Sequence, residues 1–309
     1  MLNTPVVFLI FRRPDLTAQV FEAIRQAKPT KLLVVADGPR NEDEVVLCQQ
    51  SREITEQIDW ECEVFRNYSD VNLGCRERVA SGITWAFEQV EEAIILEDDC
   101  LPTFSFFTFC ETLIERYRYD ERIMMISGDN FQMGNIRNEY SYYFSRYVHI
   151  WGWASWRRAW KHYDVEMKTW LQFKEQGFIQ SICENRHEQE YWIDIFDQVF
   201  SGVINTWDYQ WLYASWTQSG LSIIPSYNLV KNIGCGLDAT HPSDNSISTN
   251  LPTQDIWEIS HPSILVRNRI ADDYTFRCHY NGQYLKRKKT WRILLHKGLK
   301  AVRLISRLK

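Results

Sequence analysis

Short aliphatic runs alternate with helical segments through the first half of the chain, and this alternation restricts the fold more than any other feature. Val6 to Phe11 reads as a buried strand, and Lys31 to Ala36 as a second, ended by the turn signal Asp37-Gly38-Pro39. Cys62 to Arg66, Ala93 to Leu96 and Ile123 to Ser127 supply three more. Between them the apolar positions fall at helical spacing. Asp15 is placed to cap a helix that turns Leu16, Val20, Ala23 and Ile24 inward. A polar helix is expected over Glu42 to Gln57. Asn72-Leu73-Gly74 opens another, with Val79, Ile83, Ala86 and Phe87 inward, and a further helix starts near Thr103. Strict alternation with short links predicts an α/β fold with a mainly parallel sheet and helices on both faces.

The second half is less regular. It holds the aromatic run Trp151-Gly152-Trp153-Ala154-Ser155-Trp156, a helix expected over Glu188 to Phe200, and Trp207-Asp208-Tyr209-Gln210-Trp211. A loop-rich stretch follows from Asn232 to Pro262. With no internal repeat and no low-complexity linker, residues 1–285 are expected to form one unit, its regular half over 1–130 and its irregular half over 131–285. Thirteen Trp and fifteen Tyr in 309 residues suit sugar binding, although most such rings pack in cores.

Charge separates the last segment, 286–309, from the rest. It carries ten Lys or Arg and no acid, so the remainder holds a net −15 against −5 for the whole chain. An acidic body argues against nucleic acid as a partner. The tail intersperses Trp291, Ile293, Leu294, Leu295, Leu299, Val302, Leu304, Ile305 and Leu308 among its cations. It reads as an amphipathic helix lying on an anionic membrane surface, or else docked on the acidic body. The eight cysteines show no metal-ligand spacing, and the start runs straight into a strand. A cytoplasmic protein, peripheral at the inner face of the membrane, is the expectation.

Glu97-Asp98-Asp99 follows directly on the fourth strand. Acids at the carboxyl end of a parallel strand project into the crevice where open α/β sheets bind ligands. Clustered carboxylates repel and lose solvation, so a cation or a ribose hydroxyl usually compensates them. The alternative is a solvated turn before the next helix. Asp37 ends the second strand on the same sheet edge, so both acidic sites can line one cleft, which favours a ligand site.

Leu33-Val34-Val35-Ala36-Asp37-Gly38, Asn72-Leu73-Gly74 and Leu96-Glu97-Asp98-Asp99 together resemble the nucleotide-sugar-binding half of a GT-A fold, Rossmann-like glycosyltransferase. The last of them stands where that family carries its DxD-type metal motif. With Trp151-Gly152-Trp153 and Trp207-Asp208 added, the pattern is similar to inverting N-acetylglucosaminyltransferases and to bacterial enzymes of surface-polysaccharide synthesis. The resemblance covers about residues 4 to 245.

It implies a nucleotide-sugar donor, a saccharide or lipid-linked saccharide acceptor, and Mn²⁺ or Mg²⁺ on the donor diphosphate. Asp99 is then the metal ligand, Asp98 accepts a ribose or sugar hydroxyl, and Glu97 reaches the sugar or stays structural. Asp37 accepts a hydrogen bond from uracil or only caps its turn. Arg12 or Arg13 lies along the nucleotide, and Arg76 and Arg78 sit near phosphate or on a solvated helix face. Asp208 is the candidate general base, with helix capping as its other reading and Glu190 and Asp194 in reserve. His241 contacts phosphate or metal, or is simply exposed. Trp151, Gly152 and Trp153 form a sugar-facing wall or pack in the core.

Two rival classes stay open. A sugar-nucleotide nucleotidyltransferase shares the sheet topology but should carry a Gly-rich phosphate loop after the first strand, and Arg12-Arg13-Pro14 lacks those glycines. A non-enzymatic carbohydrate-binding protein would leave the placement of Asp37 and Asp99 unexplained.

Overall fold

The structure, a computed structural model, describes residues 1–234 and 251–280. The first half follows the expected alternation. β1 (Val6–Ile10), α1 (Pro14–Ala27), β2 (Lys31–Ala36), α2 (Glu42–Ile54), β3 (Glu63–Tyr68), α3 (Gly74–Gln89) and β4 (Glu92–Glu97) come in that order. A short β5 (Cys100–Pro102), α4 (Phe104–Tyr117) and β6 (Ile123–Ser127) complete it. The start of α1 differs from the expected Asp15 cap. Pro14 takes the first position of α1 and Arg13 the cap position, without a side-chain cap bond. Proline's fixed φ suits that place, and Asp15 falls inside the first turn, where its charge still favours the helix dipole.

The second half contributes β7 (Tyr142–Ser145), β8 (Trp153–Trp156), α5 (Arg157–Trp160), α6 (Trp170–Glu175), α7 (Ile179–Ile182) and α8 (Arg186–Phe200). α9 (Asp208–Thr217), β9 (Leu221–Pro225), β10 (Val230–Asn232) and α10 (Arg269–Cys278) follow. Eight strands form one sheet in the order β3-β2-β1-β4-β8-β6-β9-β7, and β10 pairs with β5 in a small second sheet. The pairs β3–β2, β2–β1, β1–β4 and β6–β9 are parallel. β8 runs antiparallel between β4 and β6, and β7 antiparallel on the edge. Six strands therefore point one way, and the sheet is mainly parallel. β8 is built from the aromatic run, buried along its whole length.

Side-chain alternation divides the core. Val7 and Leu9 of β1 with Ala93 and Ile95 of β4 pack toward α3 and the aromatic helices of the second half. Val6, Phe8 and Ile10 with Ile94 and Leu96 pack toward α1 and α4. Strands covered on both faces read as continuous apolar runs, which is what made them legible. Seven of the thirteen tryptophans lie in the first of these clusters, so the aromatic load is mostly core.

Strand order reverses at β1, with β2 and β3 on one side and β4 on the other. At such a switch point the carboxyl ends of neighbouring strands part and leave a crevice. Among the described residues no helix is long and apolar enough to cross a membrane, and the seven described cysteines are free thiols. His241 and the basic tail 286–309 lie outside the described residues.

Candidate functional site

A cleft of about 380 Å³ opens at the carboxyl ends of β1, β2 and β4, beside the start of α3. Arg12, Arg13, Asp37, Arg78, Glu97 and Asp98 are among its lining residues. This is within the size range of small-molecule sites.

Its electrostatic centre is Arg13. The parallel register pairs Leu9 of β1 with Glu97 of β4, which brings the chain after β1 against the acidic triplet. Arg13 Nη2 donates to Asp98 Oδ1, and Arg13 Nη1 lies 3.0 Å from Asp99 Oδ2. The other oxygen of Asp98 accepts the Phe11 N–H at 3.2 Å. Burial works against the Arg13 charge, but Asp98 and Asp99 more than offset it and hold the guanidinium protonated. One cation thus faces three acids. Glu97 answers this by protonation: burial first, then Asp99 and Asp98, push its pKa up to about 8. Burial likewise raises Asp98 to about 6, against the pull of Arg13.

A pH prediction follows from Glu97. Its folded pKa of about 8 lies above the ordinary carboxyl value, so folding takes up a proton there. The stability this group contributes is complete below roughly pH 4 and is lost as pH rises toward 8. Glu97→Gln keeps the shape without the charge and should flatten the fall in Tm between pH 5 and 8. A Tm profile parallel to that of the unmodified protein would exclude Glu97 as the titrating group.

Four expected nucleotide contacts take other partners. Asp37 is the hub of the α3 entry: its Oδ1 accepts the N–H groups of Gly38 and Leu73, both at 2.9 Å. Its Oδ2 accepts Asn72 Nδ2 at 2.9 Å and the Gly74 N–H at 3.0 Å. A carboxylate has about four acceptor positions, so a uracil imide would have to displace one of these donors. Arg78 is buried; its Nε donates to the Ala36 carbonyl at 3.2 Å and its Nη2 to Asn67 Oδ1 at 2.9 Å and to the Asn67 carbonyl. It ties α3 to the ends of β2 and β3 and is not on a solvated helix face. Arg12 pairs with Glu44 at 3.2 Å. Its neighbour, not Arg12, meets the triplet. Arg76, the other helix-start candidate, donates to the Val165 carbonyl and to Glu166.

Asp208 is the first residue of α9 and accepts a hydrogen bond from Thr206 Oγ1. Trp207 holds the cap position and makes no side-chain cap bond. The charge of Asp208 acts on Glu97 and on Cys75, which both line the cleft, and on Tyr163, Tyr209 and Tyr280. Asp208 is thus within electrostatic reach of the cleft but is not among the residues that line it. Of the reserve acids, Glu190 pairs with Arg186, and Asp194 is exposed and accepts from Gln198.

The expected aromatic wall is divided by burial. Trp151 is half-buried, with its ring edge-on to Phe131 at 5.1 Å. Trp153 is buried in β8 and stacks on Trp207 at 5.9 Å, so it belongs to the core and presents no face to a sugar. Gly152 has φ +71°, and a Cβ there would meet Val230 Cγ2 at 2.8 Å. Glycine is needed for both the left-handed backbone and the close approach.

Asp129 escaped the sequence reading. It follows β6 after Gly128, fully buried, and its Oδ2 accepts the Trp151 N–H at 3.1 Å. Among the described residues its Oδ1 has no hydrogen-bond partner. Burial pushes its pKa well above the carboxylate range. The signal was present: Ile123 to Ser127, then Gly128-Asp129, repeats the strand-then-acid pattern of Asp37 and of the triplet. β2, β4 and β6 are separated by β1 and by β8. The three acidic sites thus recur along the sheet edge at about 10 Å, two strand spacings.

No family model matches the chain, and no curated protein does. Among solved structures it is similar to UDP-glucose pyrophosphorylase complexed with UDP-glucose, at 11% identity and a TM-score of 0.28, over 46% of this chain and 62% of that one. It is also similar to 4-diphosphocytidyl-2C-methyl-D-erythritol synthase from Anaerococcus prevotii, at 9% identity and a TM-score of 0.31, over 50% of this chain and 72% of that one. The chain thus spans less than two thirds of the first of these proteins. Likenesses of this size decide neither family nor activity.

Proposed function

We propose that this chain is an inverting GT-A glycosyltransferase that moves a sugar from a nucleotide sugar, a UDP-sugar, to a saccharide or lipid-linked saccharide acceptor. The observation that carries the reading is the meeting of Arg13 with Glu97-Asp98-Asp99 at the strand-order switch, within electrostatic reach of Asp208. A nucleoside diphosphate leaving group gains negative charge as the glycosidic bond breaks, and Arg13 is a fixed cation held at that place by two acids. Glu97, protonated at neutral pH, can donate a hydrogen bond to a sugar oxygen. Asp208 accepts the proton of the acceptor hydroxyl from the face opposite the leaving group, which gives inversion. Trp151 supplies an apolar face beside the sugar. Inversion and the UDP donor rest on the resemblance in the sequence.

The residues fit a divalent cation that arrives with the diphosphate. Among the described residues no group of three or more His, Cys, Asp or Glu is arranged to hold an ion alone. A hard cation on a diphosphate needs only one or two carboxylates, because phosphate and water oxygens complete its shell. Asp99, 17% exposed at its side chain, meets that need, with His241 as the other expected ligand. When bound, Mn²⁺ or Mg²⁺ would neutralise the leaving diphosphate. The tail 286–309 is proposed to hold residues 1–285 at an anionic, cytoplasmic membrane face near lipid-linked acceptors.

The test is release of UDP from UDP-sugars with Mn²⁺ present. Turnover that needs the metal and is lost in Asp99→Ala is the expected result. UDP-sugar binding that ignores the metal and is unchanged in Asp99→Ala would overturn the reading.

A further inference from the structure

The position of Asp99 depends on a residue that has no side chain. Its backbone carbonyl accepts the Ile233 N–H at 2.8 Å, continuing the β5–β10 ladder that pairs Cys100 with Asn232. Its Oδ2 lies 3.0 Å from Arg13 Nη1. Against the same oxygen lies Gly234. A Cβ built on Gly234 would fall 2.2 Å from Asp99 Oδ2, 2.7 Å from its Cβ and 2.8 Å from its Cγ. The Gly234 N–H donates to Asn232 Oδ1 at 2.9 Å, which fixes the turn after β10. Gly234 is not among the residues of positive φ. Backbone conformation therefore does not require glycine here; the carboxylate does.

We infer that Gly234 is a positioning residue for Asp99. The space left by its missing Cβ is the space the Asp99 carboxylate occupies beside Arg13. A methyl group at 234 displaces that carboxylate and separates it from the guanidinium, so the cation and acid no longer present one fixed surface to a diphosphate. The identity of the ligand, a nucleoside diphosphate with its metal, rests on the glycosyltransferase reading; the geometry of Asp99 does not.

Calorimetric titration of the full chain with UDP and Mn²⁺ tests this, alongside Tm. Gly234→Ala should weaken UDP binding by roughly tenfold or more, as loss of a ligand's supporting contact does. Asp99→Ala should weaken it at least as much. The double variant Gly234→Ala with Asp99→Gly should bind like Asp99→Gly alone, because neither carboxylate nor Cβ is left at 99 to displace. If Gly234→Ala fails to fold, Asp99→Gly in the same chain removes both the carboxylate and the Cβ that lies 2.7 Å away, and should restore Tm to that of Asp99→Gly alone. Normal UDP binding in Gly234→Ala beside weak binding in Asp99→Ala would overturn the inference and leave the function reading intact. Additive losses, or a double variant that stays unfolded, would also overturn it. Normal binding in Asp99→Ala would remove the function reading, and with it the purpose assigned to Gly234.

Discussion

Replacing Asp208 by asparagine is expected to slow sugar transfer by roughly 10²–10⁴-fold while leaving UDP affinity within a few-fold of its original value. The asparagine keeps the side-chain shape and can still accept from Thr206 Oγ1, so the start of α9 should hold. What it loses is the capacity to take a proton from the acceptor hydroxyl. The donor diphosphate is assigned to Arg13 and Asp99, on the other side of the sugar, so a base-only role predicts a fall in kcat with little change in donor binding. One electrostatic side effect follows from the geometry. The charge of Asp208 helps raise Glu97, so removing it should let the Glu97 pKa drop below about 8. Near-normal transfer in Asp208→Asn would sink the assignment and move the search to Glu190 and Asp194. Loss of UDP binding together with kcat would mean that Asp208 organises the donor site instead.

Arg13→Ala is expected to destabilise the fold by about 3 kcal/mol at neutral pH, the size seen when one partner of a buried ion pair is removed. For a chain of this length that corresponds to a Tm lower by about 5 °C. The loss arises because Asp98, 3% exposed at its side chain, keeps the Phe11 N–H but loses its one ion-pair partner among the described residues, and Asp99 loses the same partner. The sign of the pH effect is fixed by the same argument. Without Arg13 the folded pKa of Asp98 rises further above its unfolded value, so the variant gains relative stability as pH falls and loses it as pH rises. The Tm deficit should therefore be smaller at pH 5 than at pH 8. UDP affinity should also fall by roughly tenfold or more, since a charge-assisted contact to phosphate is removed. Arg12→Ala is the control. Arg12 pairs with Glu44 and does not meet the triplet, so its loss should change Tm and UDP binding far less. Equal effects from the two arginines would refute the special place given to Arg13.

Much of this site was legible because it follows one local rule. A short aliphatic run ending in an acid marks a buried parallel strand and its carboxyl end, and that rule located Asp37 and Glu97-Asp98-Asp99. Applied once more, at Ile123 to Ser127, it would have found Asp129. Other residues could not be separated by local pattern. Arg12 and Arg13 are adjacent, and only the register of β1 on β4, with the helix start at Pro14, turns Arg13 to the acids. Asp37 stands at the expected strand end, yet its oxygens serve the 72–74 turn, a contact 35 or more residues distant. Trp151 and Trp153 differ by two positions, but β8 enters the sheet between them and takes Trp153 into the core. Gly234 read only as part of a loop-rich stretch, and its requirement became visible only against Asp99.

Sequence by itself determined the alternating elements, the mainly parallel sheet and the strand ends where acids gather. These depend on side-chain periodicity and turn chemistry, which act over a few residues. Tertiary structure decided which arginine meets which acid, which tryptophan is buried, and why residue 234 must be glycine. Those outcomes depend on strand order and register, which join segments tens to more than a hundred residues apart. Burial then sets the charge states: the same carboxyl group that ionises freely in an extended chain holds its proton at Glu97, where one guanidinium is shared by three acids.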